Sequence, residues 1–87
     1  MKIIDVFHLF SGYTIFVGPV KGTDDLIKGR HKVELLINWA SYQIIETHGE
    51  WIANSKHPEG HRAISTLDAV TMISEFVKEH DCVLRAI

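Results

Sequence analysis

Six of the 87 residues are histidines, and two of them stand in the run HPEGH, with His57 and His61 four apart and Glu59 between. Imidazole and carboxylate are both metal ligands, but four-residue spacing aligns two ligands only on a helix, and Pro58 with Gly60 excludes one there. Cys82 is the only thiol that might complete such a site. The run therefore reads as a solvated loop, and neither a metal nor another cofactor is expected. His8, His31, His48 and His80 are scattered along the chain, and a histidine at a helix C-terminus, as His80 is expected to be, is accounted for by the helix dipole. Serines, threonines and Cys82 occur beside histidines, yet no G-x-S-x-G elbow fixes a nucleophile against a base. The adjacent Asp24 and Asp25 suit a turn better than an acid-base pair. The chain is expected to be non-enzymatic.

The run KGRHK has a different chemistry. Lys28, Arg30, His31 and Lys32 form a local basic patch able to hold a phosphate, and Lys56, His57, His61 and Arg62 would add to it if the two loops met. Tyr42 and Trp51 would then offer stacking surfaces of the kind single-strand binders use. Against this stands a net charge of −2, which gives no overall field to attract nucleic acid or an anionic membrane.

With 46% hydrophobic and 23% charged residues, the composition is that of one folded domain, residues 1–87, near the size where stability is marginal without a partner. A lone cysteine in the apolar run CVLRAI is expected to be a buried, inert thiol in a reducing cytoplasm. Asp5 and His8 interrupt the first apolar run and no small-residue cleavage site follows, so a secretory leader is not expected. No run approaches the roughly 18 apolar residues of a membrane span.

The elements that must position these groups follow from periodicity. Residues 3–10 and 13–20 are rich in Ile, Val, Phe and Thr around Ser11-Gly12, which predicts a hairpin. Ile3, Phe7 and Leu9 would share one face of its first arm, and Ile4, Val6 and Phe10 the other, so both faces need cover. Pro19 belongs at a strand end. KVELLINW alternates as a strand through Trp39, and residues 42–47 and 50–53 read as a second hairpin across His48-Gly49. NSKHPEGHR reads as a loop. In residues 66–80 the three- and four-residue spacing of Val70, Ile73, Phe76 and Val77, flanked by Leu67 and Met72, predicts an amphipathic helix, with Ser65 and Asp68 as its capping box. CVLRAI reads as a closing strand. The expected fold is α+β and β-rich: an antiparallel sheet or small barrel of five or six strands with one C-terminal helix.

Asp5, Val6, Phe7, Gly12, Thr14, Gly18, Val20, Gly22, Gly29, Val33 and Glu34 form a pattern of a D-V-F strand, a G-x-T strand and glycine turns before a valine-glutamate strand. That pattern resembles the second domain of translational GTPases of the elongation factor Tu type over about the first 34 residues. The closing LRAI, residues 84–87, is similar to the end of that barrel. The resemblance implies a small barrel used for binding. No G-x-x-x-x-G-K-[ST] occurs, so it does not imply GTP hydrolysis.

The function expected from these observations is a small interaction module that binds protein and self-associates through the apolar hairpin, by Ile4, Val6, Phe10 and Phe16. The alternatives are an RNA-binding or translation-linked domain using KGRHK, and an enzyme whose site has no recognisable motif.

Overall fold

The computed structural model describes residues 1–19, 30–50 and 61–87. The elements are β1 (Asp5–His8), β2 (Thr14–Pro19), β3 (Arg30–Ile37), β4 (Ala40–Glu50), β5 (His61–Thr66), α1 (Ser74–Glu79) and β6 (Cys82–Ala86). All six strands join one antiparallel sheet in the order β1-β2-β5-β4-β3-β6, so the fold is β-rich α+β with one short helix. The ladder is open, with β1 and β6 at its edges. Residues 1–3 nevertheless reach β6: the Ile3 amide donates to the Cys82 carbonyl and the Leu84 amide to the Met1 carbonyl. The next residue, Ile4, already donates to Val17 on β2. No described helix is long and apolar enough to cross a membrane.

The first hairpin turns where Ser11-Gly12 predicts, with Gly12 at a φ of 96° that glycine adopts without strain. Its alternation is broken, because the chain crosses from β6 to β2 between Ile3 and Ile4. Ile3 and Val6 are therefore both buried, while Ile4 and Phe7 are exposed. Val6 is 3% exposed and Phe16 0%, so neither is a partner-binding side chain, contrary to the sequence reading. The register explains it: Val6 pairs with Phe16 and Phe16 with Ile64, which puts all three in the main core. On the opposite face of β2, Ile15 and Val17 are buried with Ala63. Both faces of this strand are thus hidden within one chain, and no second subunit is required to cover them.

The second hairpin differs from expectation. The turn is at Asn38-Trp39, both at positive φ (49° and 66°), and joins β3 to β4 as a two-residue type I′ connection. Trp39 is therefore a turn residue and not the end of a strand. The chain does not reverse at His48-Gly49: β4 runs through both, and the ladder to β5 shifts register between Thr47 and Glu50 in a bulge where Gly49 takes a φ of 91°. His61 and Arg62, read as loop, begin β5. Residues 51–53, HPEG, Asp24 and Asp25 lie outside the described residues.

The helix occupies only Ser74–Glu79 of the expected 66–80. Side-chain bonds to the backbone fix the preceding stretch in another shape. Thr66 Oγ1 donates to the Glu46 carbonyl and accepts from the Asp68 amide, and Asp68 Oδ2 accepts from the Glu46 amide at 2.7 Å. Gln43 Nε2 donates to the Ala69 carbonyl. Such local bonds compete with helical ones. Ser65 lies in β5 and donates to the Gly49 carbonyl, so it caps nothing; Ile73 is the N-cap and makes no side-chain cap. Val70 and Met72 are buried two residues apart, as in an extended segment, and Ile73 is 55% exposed where the helical stripe would have buried it.

Candidate functional site

Every neighbouring pair of strands is antiparallel, so β1, β3 and β5 end where β2, β4 and β6 begin. One end of the sheet therefore gathers the β1–β2 turn, the Asn38-Trp39 turn, the start of β6 and the segment 67–73 that leaves β5. At this end six large apolar side chains are exposed: Leu9, Phe10, Trp39, Tyr42, Leu67 and Ile73. Phe10 is wholly exposed at the tip of its hairpin. Beside them lies a recess of about 190 Å³ lined by Ile37, Tyr42, Thr71, Met72, Ile73 and Phe76. Thr71 contributes its only hydroxyl besides that of Tyr42.

Several polar contacts fix the walls of the recess. Gln43 and Asp68 hold the 67–73 segment against β4, as described above. From the other side, His8 Nε2 lies 2.5 Å from the Met72 carbonyl oxygen and Nδ1 lies 3.2 Å from Thr14 Oγ1. A carbonyl only accepts, so Nε2 carries the proton and Nδ1 accepts from the threonine hydroxyl. Asp5 Oδ1 accepts from Ser74 Oγ at 2.5 Å and from the Val6 amide at 2.9 Å, which ties α1 to β1. The His80 ring stacks on Phe76 with centroids 4.0 Å apart, and its Nδ1 donates to the Phe76 carbonyl.

Trp39 is held in the β3–β4 turn. A bulky residue at φ 66° is strained where glycine would not be. The nearby Asp81 carboxylate takes Lys2 Nζ at 2.8 Å, with a smaller favourable contribution from the Trp39 indole. The Lys2 hydrogen bond chiefly, then the Lys2 charge and the Trp39 bond, hold the Asp81 carboxyl below its ordinary range against partial desolvation. Asn38 and Asp81 exchange two further bonds, amide to carbonyl and amide to side chain. Burial pushes the neighbouring Cys82 thiol up, and the Asp81 charge adds to that.

No family model, curated protein or solved structure matches this chain. The site must then be read from its own chemistry. A hydroxyl donating to an imidazole has the form of an activated nucleophile, but Thr14 is 3% exposed, so no substrate atom reaches its oxygen. The Ser74 hydroxyl is directed to a carboxylate and not to His8. Both arrangements brace the walls of the recess. Among the described residues, no three His, Cys, Asp or Glu side chains come together as metal ligands.

The residues expected to form sites are not brought together. Phe10 is at the apolar end and exposed; Ile4 is exposed on the segment entering β1, and Val6 and Phe16 are internal. Lys28 lies outside the described residues. Arg30 and His31 begin β3 and the exposed Lys32 follows, at the end of the sheet remote from the recess. Trp39, Leu67 and Ile73 went unrecognised as surface groups. A signal for Trp39 was present, because Asn-x between two alternating apolar runs marks a two-residue hairpin turn.

Proposed function

We propose that the protein is a non-enzymatic interaction module, a small barrel-like domain that binds protein and self-associates through the apolar end of its sheet. The observation that carries this reading is the exposure of Leu9, Phe10, Trp39, Tyr42, Leu67 and Ile73 at one end of the sheet, where Tyr42 and Ile73 also line the recess. Exposed apolar side chains scattered singly need no explanation, whereas several brought to one end of a small sheet suit a contact surface. The strained Trp39 adds to it, since Asn-Gly would make the same turn at lower energy. The barrel-like description draws on residues 1–3, whose bonds to β6 link the two edges of the open sheet, and agrees with the small binding barrel that the elongation-factor resemblance implies.

Sedimentation across a micromolar concentration series tests the reading. The wild type is expected to dimerise, and Leu67→Ser with Ile73→Ser to shift it toward monomer without loss of fold. A wild type monomeric at high micromolar concentration overturns self-association. A titration with labelled RNA at low salt forms the second arm. Binding that falls steeply with salt and is lost on reversing Lys28, Arg30 and Lys32 would replace this reading with a nucleic-acid one.

A further inference from the structure

We infer that two copies of the chain exchange Phe10, each inserting the ring into the recess of the other. This rests on the self-association proposed above and names the contact that carries it. Three observations converge on a second copy as the occupant. Phe10 is a large aromatic at a hairpin tip that packs on nothing in its own chain. The recess, at about 190 Å³, is lined by Ile37, Tyr42, Met72, Ile73 and Phe76 and has the size for one aromatic ring, since an apolar cavity of about 150 Å³ takes up benzene. Ring and recess lie at the same end of the sheet, because β1 and β3 are both antiparallel to the strands that start there.

That placement permits a closed pair. With donor and acceptor on one end, a single two-fold axis through that end brings each Phe10 to the other copy's recess, giving a closed, self-complementary pair. The area is adequate. An aromatic side chain buries on the order of 150–250 Å², so Phe10, Trp39 and Tyr42 alone supply about half of the roughly 800 Å² per partner of a standard interface. Leu9, Leu67 and Ile73, exposed at the same end, would add apolar area to the interface.

Complementary variants test the exchange. Phe10→Ser removes the ring and leaves the recess; Thr71→Trp fills the recess from its exposed wall and leaves the ring. Each alone is expected to weaken dimerisation about tenfold or more in sedimentation equilibrium. Mixed one to one, they form a heterodimer retaining one intact ring-in-recess contact, so the mixture is expected to associate more tightly than either variant. General loss of surface apolarity would not produce that recovery. Circular dichroism melts identify a variant that has merely lost its fold, and Phe10→Leu then serves in place of Phe10→Ser. A wild-type dimer unaffected by Phe10→Ser, or a mixture no tighter than its components, overturns the exchange while leaving self-association standing. A wild type that never dimerises overturns both.

Discussion

The carbonyl oxygen of Met72 receives the imidazole Nε2 of His8 across 2.5 Å, although the two residues are 64 apart in the chain. The bond joins the last residue of β1 to the segment forming one wall of the recess. On its other nitrogen His8 accepts the hydroxyl of the buried Thr14, so the ring is held at both ends and Met72 is fixed with it. The Phe10 tip begins two residues later. The position of the tip and the wall of the recess thus depend on one side chain.

His8→Ala should therefore destabilise the fold by about 1–3 kcal/mol, the cost of leaving a buried hydroxyl and a carbonyl without their partner. Urea unfolding measures it. His8→Gln, which keeps an amide donor and acceptor, should recover part of the loss. An alanine variant as stable as wild type would mean that water replaces both bonds.

The segment 67–73 gives a sharper contrast. Val70 and Met72 are buried and Ile73 is exposed. Val70→Asp should cost several kcal/mol by placing an unpaired charge in the core, whereas Ile73→Asp, at the exposed N-cap of α1, should cost nothing and can add a capping bond. A continuous helix over 66–80 would make Ile73→Asp severe. Within residues 66–80, backbone chemical shifts should show helix only from 74 to 79.

The source of that difference shows what the sequence could convey. Spacing of three and four from Val70 through Val77 is compatible with a helix, but Val70 and Met72 also fit a two-residue period, and the choice was made by bonds of Thr66, Asp68 and Ala69 to Glu46 and Gln43, which lie 20 or more residues away. Local periodicity carries no record of such partners. The first hairpin was legible because Ser11-Gly12 sets its turn locally, and β6 because its alternation is short and clean. Which hairpin residues face outward was not, since the crossing of residues 1–3 to β6 reverses the pleat before Val6. The apolar end was illegible for the same reason: Phe10, Trp39, Leu67 and Ile73 come to one end of the sheet only through strand direction and order.

Trp39→Gly should raise stability or leave it unchanged, relieving a positive-φ strain of about 1 kcal/mol or more while losing the small favourable contribution of the indole at Asp81. In the same variant self-association should weaken. Opposite movement of a melting temperature and a dimer constant would identify Trp39 as a side chain kept for contact. Parallel loss of both would assign it a structural role.

Asp81 gives the fold a dependence on acid. Its carboxyl titrates lower in the folded chain than in the unfolded one because of Lys2 and Trp39, so its contribution is fully present above the ordinary value of about 3.9 and disappears as pH falls through the folded value. Stability should fall below about pH 4. Asp81→Asn should flatten part of that limb, and salt should shrink the difference, since the pair with Lys2 is exposed. An unchanged acid limb in Asp81→Asn would assign the dependence to other carboxylates, Glu34 first, which Ser41 and Arg85 hold low in the same way.

Gly18 is the position where a single methyl group should separate the two edges of the sheet. A Cβ there would lie 2.5 Å from the Lys2 carbonyl oxygen and 2.5 Å from Met1 Cγ. The Met1 side chain can rotate away, but the Lys2 carbonyl belongs to the backbone that reaches across to β6. Gly18→Ala should then push residues 1–3 off β6, breaking the Ile3 to Cys82 and Leu84 to Met1 bonds while leaving the β2–β5 ladder intact. Amide hydrogen exchange distinguishes these regions. Ile3 and Leu84 should lose protection by orders of magnitude, and Ile64, in the middle of the sheet, should lose only what global stability loses. If Ile3 and Leu84 stay as protected as Ile64, residues 1–3 do not depend on the absence of a side chain at Gly18, and the link between the sheet edges has another origin.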